Sequence, residues 1–367
     1  MTNAMRAWAF CYHHAQAAEI TTRGDREDRS CGEIRTAVAF AQKGEPPVKA
    51  TKILFVVVAA IVFGAANAQH YPTKPVRFVL GTAPGGSTDT IARIAAQGLS
   101  DMWGHNVIVD NRPGAGATIG ADLVAKAQPD GYTLFVSSFG PIAMAGSIFP
   151  RLSYYPAKDF AHVTMMVTFP NVLVVRASGP IANLNAFIGQ AKAKPGSIKY
   201  GSSGTGGSGH AFLELMNMKA GIQTTHVPYK SGPLALTGMI AGDVDYVLVA
   251  PSTALAQLKA GRIRALGVTS ATPNPRLPGV PPIASVIPGY EALEFHGLHA
   301  PAKTPKPIVA KLYQDIAKVL HRSEVKSRLD GIAMDVAASS PAEFTAFINS
   351  QIRTWAEVAR VANIKVD

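Results

Sequence analysis

Three short segments gather the glycine and small hydroxyl residues of this chain: Gly85-Gly86-Ser87-Thr88-Asp89, Ser137-Ser138, and Ser202-Ser203-Gly204-Thr205-Gly206-Gly207-Ser208. Each follows an apolar run, and the first and third lead straight into helical patterns. The free N–H groups and positive dipole end of a helix start attract anions such as carboxylate or phosphate. Backbone amides and hydroxyls of this kind can hold an anion without a charged side chain. One such loop alone reads better as a turn with an N-cap and no ligand. Two of them, at the ends of separate strands, read as facing walls of a cleft at the ligand edge of open α/β sheets.

Other chemistries fit less well. The GAGATIG run from Gly114 to Gly120 has the spacing G-x-G-x-x-x-G, one residue longer than a dinucleotide fingerprint, and no phosphate loop of the form G-x-x-x-x-G-K-[ST] occurs. A nucleophile elbow at Gly206-Gly207-Ser208-Gly209-His210 fails because His210 stands where glycine is needed. Ser208 and His210 are also two apart at a helix start, so they do not share a face. The histidines are dispersed, without zinc or calcium spacing, so neither a metal site nor a cofactor is expected. Asp243 and Asp245 read as solvated loop carboxylates.

The elements that must position these loops follow from periodicity. VRFVL at Val76 to Leu80 predicts a buried strand, then the Gly-rich loop, then a helix with Ile91, Ala95 and Leu99 inward. The same grammar continues with strands at 106–110 and 133–136 around a helix at 118–127. It restarts with strands at 172–175, 198–200, 225–228, 246–250 and 263–268, separated by helices. Such alternation predicts parallel sheets in an α/β fold. A Pro-rich stretch, Thr272 to Pro288, interrupts it, and from Pro305 the pattern is mostly helical.

Composition agrees with a globular protein of about two domains. The 367 residues are 47% apolar and only 16% charged, with 33 Gly and 26 Pro, which excludes disordered, collagen-like and coiled-coil classes. The net charge of +11 is spread along the chain with no Lys/Arg run interleaved with aromatics, so no nucleic-acid partner is expected.

Lys49 to Ala68 carries a basic start, an 11-residue apolar run from Ile53 to Phe63, and Ala66-Asn67-Ala68. This is the plan of a secretory signal peptide cleaved after Ala68, with an apolar run too short to span a membrane. Residues 1–48 are expected to be a non-native extension, with Val48 as the true start. Both cysteines, Cys11 and Cys31, lie before the cleavage point, and 27 basic against 18 acidic residues remain after it. A cysteine-free mature chain suits an oxidising compartment, here the periplasm.

Taken together, VRFVL, APGGSTD, VIVDNRPGAGATIGADLVAKAQPDGYTL, KPGSIKYGSSGTGGSGH, HVPYK and LHAPAKTP resemble the Bug family (TctC-like), periplasmic receptors of the tripartite tricarboxylate transporter system. The resemblance runs from Tyr71 essentially to the C-terminus. It implies an α/β, two-lobed periplasmic-binding-protein fold (Venus-flytrap, type II) with mixed sheets flanked by helices and a C-terminal helical tail. Lobe 1 would comprise 69–170 and 295–367, and lobe 2 171–294. It implies a non-enzymatic receptor that closes on a small organic carboxylate and hands it to cognate membrane permease subunits, working as a monomer with no stable membrane insertion.

Carried over by position, Gly85, Gly86, Thr88 and Asp89 would form the first grip on a ligand carboxylate. Ser202, Ser203, Gly204 and Ser208 would form the second, with Ser137 beside the cleft and Tyr229 and Pro251 nearby. Two alternatives are a ligand-sensing protein for a sensor kinase and a secreted serine hydrolase using Ser208 or Ser203. The chain departs from the family at Gly238, where Asp is usual, and at Phe295, which replaces a frequent Trp. Gly238 puts the hold on the far end of the ligand in question.

Overall fold

The computed structural model describes residues 71–366. The expected signal peptide, its cleavage after Ala68 and the start at Val48 lie outside the described residues.

Continuous apolar strands build two sheets. The first takes β1 (Val76–Leu80), β2 (Val107–Asn111), β3 (Thr133–Ser137), β4 (Phe160–Pro170), β10 (Leu293–Pro301) and β11 (Asp335–Val336), in the order β11-β4-β10-β3-β1-β2. The second takes β5 (Val172–Arg176), β6 (Lys199–Ser202), β7 (Thr225–Pro228), β8 (Tyr246–Val249) and β9 (Ile263–Val268), in the order β7-β6-β8-β5-β9. β1 runs parallel to β2 and β3, and β6 parallel to β7 and β8. The sheets are mixed, as the resemblance implied: β10 is antiparallel to β3 and β4, β11 to β4, and β5 to both β8 and β9. For β5 and β10 the reason is topological, since each follows a crossing and enters its sheet from the opposite end.

The helices are α1 (Ser87–Trp103), α2 (Thr118–Ala125), α3 (Ala145–Ile148), α4 (Leu184–Ala193), α5 (Ser208–Ala220), α6 (Gly232–Ala241), α7 (Pro251–Lys259), α8 (Lys306–Leu320), α9 (Ser323–Asp330) and α10 (Pro341–Val361). They cover both faces of each sheet. Side chains alternate along a strand, so Phe78 and Leu80 pack with Ile91 and Leu99 of α1 and Ile316 of α8, while Val79 turns to the opposite face with Val124 of α2 and Phe344 of α10. Each such side chain contributes roughly 1.5–3 kcal/mol on burial.

The second of these packing layers is shared by the two lobes. Phe139, just after β3, meets Phe212 of α5 edge-on at 5.0 Å and Trp355 of α10 at 4.9 Å, and Trp355 stacks on Phe212 at 5.0 Å. The chain crosses at Asn171, between β4 and β5, and returns before β10. The crossings are tied together: Thr269 N–H donates to Asn171 O, Asn171 N–H to Thr269 Oγ1, and Ala292 N–H to Thr269 O, all within 3.0 Å.

GAGATIG serves this packing. A Cβ on Gly120 would sit 2.9 Å from the Gly81 Cα, so the loop after β1 and the start of α2 can only approach as glycines.

Candidate functional site

β1 and β6 end in loops that turn directly into α1 and α5. The N-cap residues of these helices are Gly86 and Gly207, and neither supplies a side-chain cap. The first N–H groups of both helices are thus left for another acceptor. The loops face each other across a cleft of about 90 Å³, lined by Thr82, Gly86, Ser87, Thr88 and Ser138 from the first lobe and by Ser203, Gly207, Ser208, Lys230 and Ser231 from the second. A second pocket continues it past Gly114–Ala117, Gly204 and Tyr229.

Of the residues expected at the site, Gly86, Thr88, Ser203 and Ser208 line the cleft, and Gly204 and Tyr229 its continuation. The other five do not line it. The Asp89 carboxylate turns inward, accepting from Gly85 N–H at 3.1 Å, Arg93 Nε at 2.9 Å and Asn111 Nδ2 at 3.1 Å. Burial alone would raise its pKa, but these donors outweigh it and hold the carboxyl below the usual range. Asp89 therefore fixes the loop, using Gly85 as the point of attachment. Ser137 is fully buried with its hydroxyl 2.7 Å from His299 Nε2, and its neighbour Ser138 takes the place at the cleft. Ser202 is buried between His226 Nε2 at 2.7 Å and the Gly204 amide at 3.1 Å. Pro251 occupies the buried first turn of α7.

Three serine–histidine contacts thus exist among the described residues: Ser137–His299 and Ser202–His226, whose serines are buried and do not line the cleft, and Ser87–His296 at 3.0 Å, which does line it. His210, stacked on His226 at 3.9 Å, accepts from Gly206 N–H through Nδ1 at 3.1 Å and steadies the second loop. Burial holds His210 at about 4 and His226, with His210 beside it, at about 3, so both are neutral imidazoles at ordinary pH. Among the described residues no cluster of His, Cys, Asp or Glu could hold a metal.

Gly238 is explained by Tyr229. A Cβ at Gly238 would overlap the Tyr229 hydroxyl and ring, and a Cβ at Gly201 would lie 3.2 Å from the ring's other edge. The ring lies in a slot that glycine on α6 makes possible.

Sequence reasoning missed the floor. Asn171, Glu294 and His296 line the cleft where the chain crosses between sheets. Glu294 accepts from Phe139 N–H at 3.1 Å, and His296 Nε2 lies 3.0 Å from Ser87 Oγ. Glu294 and His296 are two apart on β10, so they share a face with Phe295 turned away. That period of two was the available signal.

Residues 91–364 match the family described as "Tripartite tricarboxylate transporter family receptor" (TctC). A relative from Pseudomonas sp. (strain P51), described as "UPF0065 protein in tcbD-tcbE intergenic region", is 34% identical over 309 residues, covering 83% of this chain and 92% of that protein. Among solved structures, R. palustris Rpa4515 with adipate is similar at a TM-score of 0.77 and 33% identity, covering 80% of this chain and 99% of that one. MatC (Rpa3494) from Rhodopseudomonas palustris with bound malate is similar at 0.74 and 31%, covering 78% and 99%.

Proposed function

This chain belongs to the tripartite tricarboxylate transporter receptor (TctC) family of periplasmic solute-binding proteins, which are not enzymes, and from that premise we propose that it captures a small carboxylic acid between its lobes and delivers it to a tripartite tricarboxylate-type permease. The observation that carries the reading is the pair of uncapped helix starts, Gly86-Ser87 and Gly207-Ser208, facing one cleft. Their free amides, with the Thr88 and Ser203 hydroxyls, suit a carboxylate. Similar proteins bind adipate and malate.

In this reading the lobes, 69–170 with 295–367 and 171–294, hinge at the crossings near Asn171 and Ala292 and close on the acid. Neutral donors favour release to a permease, because an arginine fork would hold the acid more tightly. Export through a signal peptide cleaved after Ala68 would deliver the protein to the periplasm as a soluble monomer. No helix among the described residues is long and apolar enough to cross a membrane.

A thermal-shift screen of the purified protein against mono-, di- and tricarboxylates, aromatic acids and acidic amino acids tests the reading. Ligand at a hundredfold its Kd adds ~2.7 kcal/mol to stability. A shift confined to one acid class supports the proposal and names the class; no shift with any anion refutes carboxylate capture.

A further inference from the structure

The cleft floor contains a carboxyl that makes no ion pair with any cation among the described residues. Glu294 is 4% exposed, lines the cleft from β10, and accepts from Phe139 N–H at 3.1 Å. The Ser208 and Asn171 side chains and the Phe295 N–H are also turned on it, all of them neutral groups. An ionised carboxylate in such a place calls for a positive partner. A ligand carboxylate seated on the starts of α1 and α5 would bring a second negative charge beside it.

We propose that Glu294 sets the charge of the ligand: a carboxylate is held in this cleft only together with one positive charge, carried either by an ammonium group on the ligand or by a solvent proton added to a Glu294 carboxylate oxygen. The inference rests on the carboxylate-binding reading above. It makes Glu294 a specificity-determining residue that separates amino acids from plain acids, and the two kinds of ligand must respond to pH in opposite senses.

Burial pushes Glu294 up to about 7, and its hydrogen bonds pull it only partly back. The titratable groups on the elements around it do not compete. Burial holds His296 of β10 at about 3, His162 of β4 and His210 of α5 at about 4, and His299 of β10 well below its ordinary value. Phe344 and Phe347 of α10, which pack on Phe295 on the other face of β10, carry no charge, Asp89 of α1 is committed to Arg93, and Lys230 lines the cleft from the second lobe without pairing to Glu294. A plain acid binds the protonated form and an amino acid the ionised form. Between about pH 6 and pH 8, linkage then makes a plain acid ~10-fold weaker and an amino acid ~10-fold tighter.

Isothermal titration calorimetry tests this with succinate, adipate and aspartate, at both pH values and in two buffers of different ionisation enthalpy. Succinate or adipate should take up close to one proton per protein at the higher pH, and aspartate should release close to one at the lower. Glu294→Gln should abolish both dependences, the ligands' own titration being common to both proteins. The opposed wild-type responses stand as a test even if that variant fails to fold. Binding of plain acids with flat pH dependence, or a dependence retained in Glu294→Gln, overturns the inference and leaves carboxylate capture intact. Failure of these three and of every other acid in the thermal-shift screen to bind either protein overturns both.

Discussion

Replacing Asp89 with alanine should loosen the first-lobe loop and lower stability together. Its carboxylate is 5% exposed and receives three donors: the Gly85 amide, the Arg93 guanidinium and the Asn111 amide. Arg93 is 55% exposed and can turn to water, so its contact contributes little. The two remaining charge-assisted bonds are each worth ~1.5 kcal/mol at their lower range, giving ~3 kcal/mol in all. An unfolding entropy of ~2.1 cal/mol/K per residue over ~300 residues converts this to a Tm lower by ~5 °C. Asp89→Asn keeps an acceptor but not the charge and should fall between. The folded carboxyl titrates below its ordinary value, so its contribution is fully present above about pH 4 and is lost as pH falls through the depressed folded value. The gap between wild type and Asp89→Asn should therefore close in acid. Differential scanning calorimetry measures the series, and binding calorimetry the loss of affinity as the loop frees. A Tm within ~1 °C of wild type, or a gap that does not close in acid, would refute the claim that Asp89 anchors the loop through its charge.

Gly238→Asp should displace Tyr229 from its slot and destabilise by ~1–3 kcal/mol, with Tyr229→Ala in the same chain recovering most of the loss; equal losses in the single and double variants would count against the slot. Gly297→Ala drives a methyl into the Phe344 ring beneath β10 and should cost about 1–3 kcal/mol in a denaturant titration, so a change under ~0.5 kcal/mol would contradict the packing. Ser202→Ala strips the Gly204 amide and His226 of their shared partner and should lower stability by ~1–3 kcal/mol, read by thermal unfolding.

The alternating part of the fold was legible because its strands are short, apolar and punctuated by glycine, as in VRFVL and the turn after it. β4 and β10 were not. Phe160–Pro170 carries His162, Thr164 and Thr168, and Leu293–Pro301 carries Glu294, His296, Gly297 and His299, so neither shows a clean apolar run. Their polar groups find partners only after folding: His162 lies 2.8 Å from His299, Thr164 bonds to Ser339 O, and Thr168 to Glu294 O. Register shifts on β10 after His296 and after Leu298 also break its period of two. At the site, loops that act through backbone N–H groups announced themselves by composition. Which serine of a pair faces the cleft did not, since Ser137 and Ser138 differ only in strand register, and the floor depends on β10, whose neighbours are distant in sequence.

The seam of Phe139, Phe212 and Trp355 gives the protein an optical gauge. Trp355 is 4% exposed between rings from both lobes, whereas Trp103 lies within the first lobe, with its indole N–H on Asp315 at 2.8 Å. Any movement of one lobe against the other alters the surroundings of Trp355 and leaves those of Trp103 unchanged. If the proposed capture closes the lobes, indole emission follows it in real time without an attached dye, and Trp103→Phe would leave Trp355 in the seam as the sole indole emitter among the described residues.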